Sequence, residues 1–180
     1  MDDSRLQMLL DKQEIHELLV RWCQGIDRAD VELMSSVYHD DAVDSRGAHY
    51  YDHVNPAQDY VDRHRRWKRH LHYTMNEQIQ LDGDVARCES YFMAHLVIEE
   101  DGIDRLYQYG GRHLDRIERR DGVWKIANRL AILEWRTIDP VIMLPEEPDP
   151  DYPALNALNG GPQYGALGSR SKADPAYNIP

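Results

Sequence analysis

Ile15, Leu18, Leu19, Trp22 and Ile26 recur at the spacing of one helix face, and they predict a helix over roughly the first thirty residues. Asp30 stands where an N-cap belongs, and the apolar positions after it, Val31, Leu33, Met34 and Val37, predict a second helix. Ala42 to Val54 reads as a short strand or turn region. Asn55-Pro56 then opens a third helical stretch through Tyr60 and Val61 to Trp67, with proline in the first turn. From His70 the pattern changes to strands. Asp82-Gly83, Asp101-Gly102 and Asp121-Gly122 fall at nearly even intervals between apolar runs, and Asp-Gly in that setting is a strong hairpin signal. The predicted strands are 70–81, 85–99, 103–119 and 123–137, a four-strand antiparallel meander. Strands this long must twist and curl, which leaves a concave face for the helices to cover. Helices followed by strands give an α+β domain over residues 1–140.

Eight of the nine prolines lie at position 140 or beyond, together with Gly160-Gly161, so residues 141–180 read as an extended tail. Tyr152, Leu155, Leu158, Tyr164 and Tyr177 make it more than a solvated linker, and it is expected to pack on its own subunit or on a neighbour. No repeat or low-complexity run is visible.

Composition narrows the function classes. The 180 residues carry a formal net charge of −11, which argues against non-specific binding to nucleic acid or an anionic membrane. No apolar run approaches the ~20 residues of a membrane helix, and the acidic N-terminus lacks the parts of a signal peptide, so the expected location is cytoplasmic. Cys23 and Cys88 form neither a disulfide framework nor a zinc pattern. Eleven tyrosines and four tryptophans against one phenylalanine suit a wet pocket or an interface, because each carries a polar handle.

The titratable residues offer competing readings. Asp27 sits at the border of the first helix's apolar face, near a C-terminus whose dipole disfavours a carboxylate. It is either solvated or held by a partner. Period two sets His70, His72, Thr74, Asn76, Gln78 and Gln80 on one face of the first long strand, with Leu71, Tyr73, Met75, Ile79 and Leu81 on the other. The polar row either faces water, or lines a wet pocket while a second subunit buries the apolar row. His95 and His113 follow on the next strands, each structural or catalytic. Arg129 interrupts an apolar strand, either as a buried ion pair with Asp27 or Asp115, or as an anion-stabilising fork. His70-x-His72 is a weak metal signal, and no metal is expected.

Three segments taken together, IHELLVRWCQGIDRADVELMSSVYHDDA, HLHYTMNEQIQLDGDVARCESYF and LDRIERRDGVWKIANR, resemble the SnoaL-like branch of the nuclear transport factor 2-like superfamily across residues 10 to about 138. The resemblance implies a cone-shaped α+β barrel with a deep pocket between a curled sheet and an N-terminal helix. Within the branch the chain is similar to scytalone and bile acid dehydratases and to hexachlorocyclohexane dehydrochlorinases. These pair a helix Asp with a strand His as general base, without metal or organic cofactor. The Asp falls on Asp27 and the His on His72. A second pocket His falls on His95, and an Asn of the dehydratases falls on His113. The dehydrochlorinase Arg falls on Arg129 and its Lys on Trp22. Two water-holding tyrosines fall near Ile26 and Arg46, with Tyr50 and Tyr51 close by as substitutes. The tail resembles that of cofactor-free lyases that release formaldehyde from lignin-derived aromatics.

The resemblance therefore implies a cofactor-independent lyase, eliminating water, halide or formaldehyde from a hydrophobic aromatic small molecule, and acting as a homotrimer or dimer. An isomerase or polyketide cyclase with the same dyad, a non-catalytic binding protein, and a dioxygenase β-subunit-like protein are the alternatives.

Overall fold

The computed structural model describes residues 3–46, 49–52, 54–141, 170–171 and 177. Helix α1 runs Asp3–Asp27 and buries Ile15, Leu18, Leu19, Trp22 and Ile26, the stripe expected from their spacing. Helix α2 follows at Val31–Ser36, capped by Asp30, whose Oδ1 accepts from the Leu33 N–H at 3.0 Å. Gly25 lets the two helices meet, since a Cβ there would lie 2.8 Å from Met34 Cγ. Strands β1 (Tyr38–Arg46) and β2 (His49–Tyr51) come next, then α3 (Ala57–His64), which stops short of Trp67. Strands β3 (Arg69–Asp82), β4 (Val85–Glu100), β5 (Ile103–Arg120) and β6 (Val123–Pro140) form the expected meander, joined at the three Asp-Gly turns, where Gly83, Gly102 and Gly122 take positive φ.

The sheet has the order β2-β1-β6-β5-β4-β3. β1 joins β6 in parallel, and β2 and β3 are the edges, so the sheet curls without closing. Register shifts sharpen the curl: one in β3 between Met75 and Gln78, and two along the β5–β6 pair. α1 lies in the resulting hollow. Around it pack Met34, Val37, Tyr38, Tyr60, Val61, Ile117, Trp124 and Ile126. Each fully buried aliphatic side chain there contributes about 1.5–3 kcal/mol.

The bulge in β3 corrects one expectation. Asn76 adopts a left-handed φ of 55°, and the inward face changes parity there. Before it, His70, His72 and Thr74 face inward while Leu71 and Tyr73 are 54% and 44% exposed on the outside. After it, Ile79 and Leu81 turn in and pack on the core. They do not share the face of Leu71. The tail lies outside the described residues except for Val141, Arg170, Ser171 and Tyr177. Of these, Arg170 Nη1 donates to the His64 carbonyl at 3.1 Å, and the Tyr177 hydroxyl donates to Asp30. Among the described residues no helix is long and apolar enough to cross a membrane.

Candidate active site

The last turn of α1 lies against the start of β3, and this contact decides the fate of Asp27. Its Oδ2 accepts the His72 backbone N–H at 3.0 Å, and its Oδ1 accepts His72 Nδ1–H at 2.7 Å. His70 Nδ1 approaches the same Oδ1 at 3.4 Å. Burial alone raises the carboxyl's pKa, but the hydrogen bonds from His70 and His72 outweigh it and hold Asp27 below the usual range. Asp27 therefore stays ionised at a helix end that would otherwise repel it. An ionised carboxylate only accepts, so His72 carries its hydrogen on Nδ1 and a lone pair on Nε2. That Nε2 has no hydrogen-bond partner among the described residues, and the side chains of His72 and Asp27 remain 9% and 17% exposed.

Two more imidazoles crowd the pair. His64, at the end of α3, lies 5.4 Å from both the His70 and His72 rings, centroid to centroid, and its Nδ1 donates to the Tyr60 carbonyl at 2.8 Å. Burial, helped by His72, pushes its pKa down to about 3, and burial also lowers that of His70. Asp27, His70 and His72 offer three ligand atoms within 4.8 Å of one another, a set able to take a divalent cation.

Trp22, one helical turn and a residue before Asp27, forms the floor. Its ring meets His72 edge-on at 5.7 Å and His113 at 5.5 Å. Its Nε1 donates to the Tyr38 hydroxyl, which donates on to Asp44, each at 2.8 Å. His113 stacks on Phe92 at 4.5 Å, and burial, with Arg129 and Arg46 nearby, holds it well below its ordinary pKa and neutral. Arg129 lies over Trp22 and donates twice to Asp115, both at 2.7 Å. Burial opposes its charge, but Asp115 more than compensates and raises its pKa. Of the two partners its sequence left open, Asp115 is the one it takes.

The structure thus brings Asp27, His72, Trp22, His113 and Arg129 together. His95 does not join them. It lies on the outer face, where its ring meets Tyr73 and its Nε2 approaches Gln108 Oε1 at 3.2 Å. The β3 bulge is the reason. Counting back from the terminal pair Asp82 and Val85 would set His72 opposite His95, but the extra residue moves His72 opposite Ala94 and sends His95 to the other side. Tyr51 lies at the rim, its ring against Tyr60 and its hydroxyl donating to Asp59. The Tyr50 side chain lies outside the described residues.

Sequence reasoning missed the other wall of the site. Asp44 and Arg46 on β1 and Tyr60 on α3 face the same hollow, with Arg46 Nε 3.0 Å from Asp44 Oδ1 and Nη1 3.4 Å from His113 Nε2. The available signal was the short alternation of Ala42 and Asp44, both wholly buried, which stops at exposed Asp40.

A family model described as the SnoaL-like domain matches residues 7–130. The chain belongs to the SnoaL-like family, within the nuclear transport factor 2-like superfamily. Solved structures agree with this SnoaL-like fold. A hexachlorocyclohexane dehydrochlorinase from Novosphingobium barchaimii is 22% identical, with a TM-score of 0.67 over 81% of this chain and 99% of its own. A scytalone dehydratase-like protein from Novosphingobium aromaticivorans is 16% identical, with a TM-score of 0.66 over 76% of this chain and 91% of its own. A protein from Mycobacterium tuberculosis is 23% identical, with a TM-score of 0.61 over 71% and 74%. No curated protein sequence matches the chain.

Proposed function

We propose that this SnoaL-like chain is a cofactor-independent lyase that eliminates water, halide or formaldehyde from a hydrophobic aromatic molecule, with His72 as general base. The observation that carries the reading is the 2.7 Å contact between His72 Nδ1 and Asp27, which leaves the Nε2 lone pair free on the inner face. Asp27 orients the imidazole and stabilises the imidazolium that forms when Nε2 takes a proton from the substrate. A pure binding module has no need of such a pair. A dehydrochlorinase and a dehydratase-like protein among the structural neighbours support the same reaction class.

Polar atoms on the inner face are short of partners. His70 Nε2, Thr74 Oγ1, Ser90 Oγ and Arg129 Nη1 are buried and make no hydrogen bond among the described residues. Polar groups so placed suit a ligand with oxygens of its own. In this reading Arg129 and neutral His113 support the leaving group, Trp22 holds the substrate ring, and Tyr50 and Tyr51 assist in binding the substrate. The outer face, with Leu71, Tyr73, Tyr91, Leu130 and Trp135 exposed, is the surface on which copies of the chain associate as a trimer or dimer. Light scattering at micromolar concentration returns that oligomer; a monomer contradicts it. Two free thiols fit a reducing, cytoplasmic setting.

The experiment is a turnover screen over aromatic alcohols, halides and lignin-type dimers, read as released water, halide or formaldehyde. Wild-type activity that His72→Ala abolishes supports the reading, and a chelator leaves it unchanged. Rearranged product with nothing released assigns an isomerase or cyclase. Loss of activity with the chelator assigns a metal to Asp27, His70 and His72.

A further inference from the structure

The inner face holds two guanidinium groups, and they are not equivalent. Arg129 is 1% exposed and commits two of its nitrogens to Asp115. Arg46 is 19% exposed and sits between aromatic rings, its central carbon 4.9 Å from the Trp22 centroid and 4.8 Å from that of Tyr60. Its position is fixed from behind. Asp44, wholly buried and tied to the Tyr38 hydroxyl, accepts from Nε at 3.0 Å and from Nη2 at 3.4 Å. The Tyr60 hydroxyl accepts from Nε as well. On the open side Nη1 reaches only His113 Nε2, at 3.4 Å. A guanidinium has two hydrogens on each Nη, so one on Nη1 and one on Nη2 remain without a partner among the described residues.

The neighbours of Arg46 suit a particular ligand. The surroundings are aromatic: the rings of Trp22 and Tyr60 lie against the Arg46 guanidinium, and the stacked Phe92–His113 pair stands beside it. Burial costs the Arg46 charge, but Asp44 more than restores it, so the group is a permanent cation in a poorly hydrated place. His113 is neutral and adds no competing charge. Arg46 and His72 both lie against the same Trp22 ring, so a ligand bound at Arg46 lies beside the dyad.

We infer that Arg46 forms an oxyanion subsite that takes the ionised oxygen of a phenolic ligand, whose ring lies among Trp22, Tyr60 and Phe92. The two spare N–H groups supply charge-assisted hydrogen bonds to that oxygen. The inference deepens the lyase reading, because it makes the substrate a phenol and sets its charged end opposite the base. A phenolate held there can expel a benzylic leaving group through its ring, giving a neutral quinone methide, and it regains its charge on oxygen when His72 takes a proton from the adjacent carbon.

The test needs no turnover. p-Nitrophenol reports its own ionisation through the yellow band of the phenolate. Titrated with the full chain, the bound probe ionises about one to three pH units below the free probe, as expected for an acid within reach of a guanidinium. Arg46→Met loses the effect. Because that change strands Asp44, the double variant Asp44→Asn/Arg46→Met is measured beside it, with far-ultraviolet circular dichroism to show that both are folded. His72→Ala keeps the effect. No saturable binding, a bound probe that stays neutral in the wild type, or an unchanged effect in both Arg46 variants overturns the inference. Loss of the effect in His72→Ala also overturns it, since the charge would then belong to the dyad. Failure of the lyase reading is a separate result, seen only as absent turnover.

Discussion

Replacing Asp27 by asparagine tests how the carboxylate works, because the shape is kept and the charge is not. The asparagine oxygen can still accept the His72 backbone N–H. Its NH2 group then faces His72 Nδ1, where Asp27 Oδ1 accepts at 2.7 Å in the parent. An NH2 donor demands a lone pair on Nδ1, which moves the imidazole hydrogen to Nε2 and removes the base from the inner face. A wrong tautomer of this kind costs on the order of ten-thousand-fold in turnover. The effect on stability is much smaller. One charge-assisted hydrogen bond is lost, about 1.5–3 kcal/mol, while relief of the carboxylate's conflict with the α1 dipole returns about 0.3–1 kcal/mol. The net loss of about 1–2 kcal/mol lowers the melting temperature by several degrees in a chain of this size. The assays are kcat on whichever substrate the screen finds and a thermal melt. Activity within tenfold of the parent, or a variant that fails to fold at room temperature, would refute the reasoning.

Asp115→Ala leaves the Arg129 charge buried without its partner and costs about 3–5 kcal/mol in urea unfolding, whereas Asp115→Leu/Arg129→Met recovers most of it. Acid weakens the fold early. His64, His70 and His113 remain neutral in the folded chain well below their ordinary pKa of 6.5, while the unfolded chain takes up protons there. Stability is therefore full above about pH 6.5 and falls as pH drops, by up to about 1.4 kcal/mol per pH unit for each imidazole. The lowered Asp27 adds to the loss only below its unfolded value of 3.8. A urea midpoint that stays level from pH 7 to 5 contradicts this. Cys23 and Cys88 are buried and their thiols are pushed up to about 12, so a thiol reagent titrates neither until the protein unfolds.

The elements legible in the sequence were those set by local chemistry. Three Asp-Gly turns fixed the meander, and the α1 stripe fixed which face of the first helix is buried. What periodicity does not carry is the insertion of a single residue. Asn76 flips the inward face of β3, sending His95 outward and turning Ile79 inward, and no turn signal marks it. The extra residue in β6 between Ile126 and Asn128 acts in the other direction, setting Arg129 opposite Asp115. The parallel pairing of β1 with β6 joins segments some eighty residues apart, and it places Arg46, Asp44 and Tyr38 on the inner face. Ala42 to Val54 reads only as a short strand or turn region because β1, beyond its local pairing with β2, finds its second partner, β6, only across the chain. The Asp27–His72 contact needed both levels. The helix period set Asp27 at the edge of the buried stripe, and the resemblance named its partner.

The central claim is that Asp27 keeps His72 as the Nδ1–H tautomer with a free lone pair on Nε2. Nitrogen-15 NMR of histidine-labelled protein above pH 7, with His72→Gln to assign the resonances, reads this directly. The expected spectrum shows a protonated Nδ1 and an unprotonated Nε2 for His72, exchanged for the opposite pattern in Asp27→Asn. A hydrogen on Nε2 in the parent protein would contradict it.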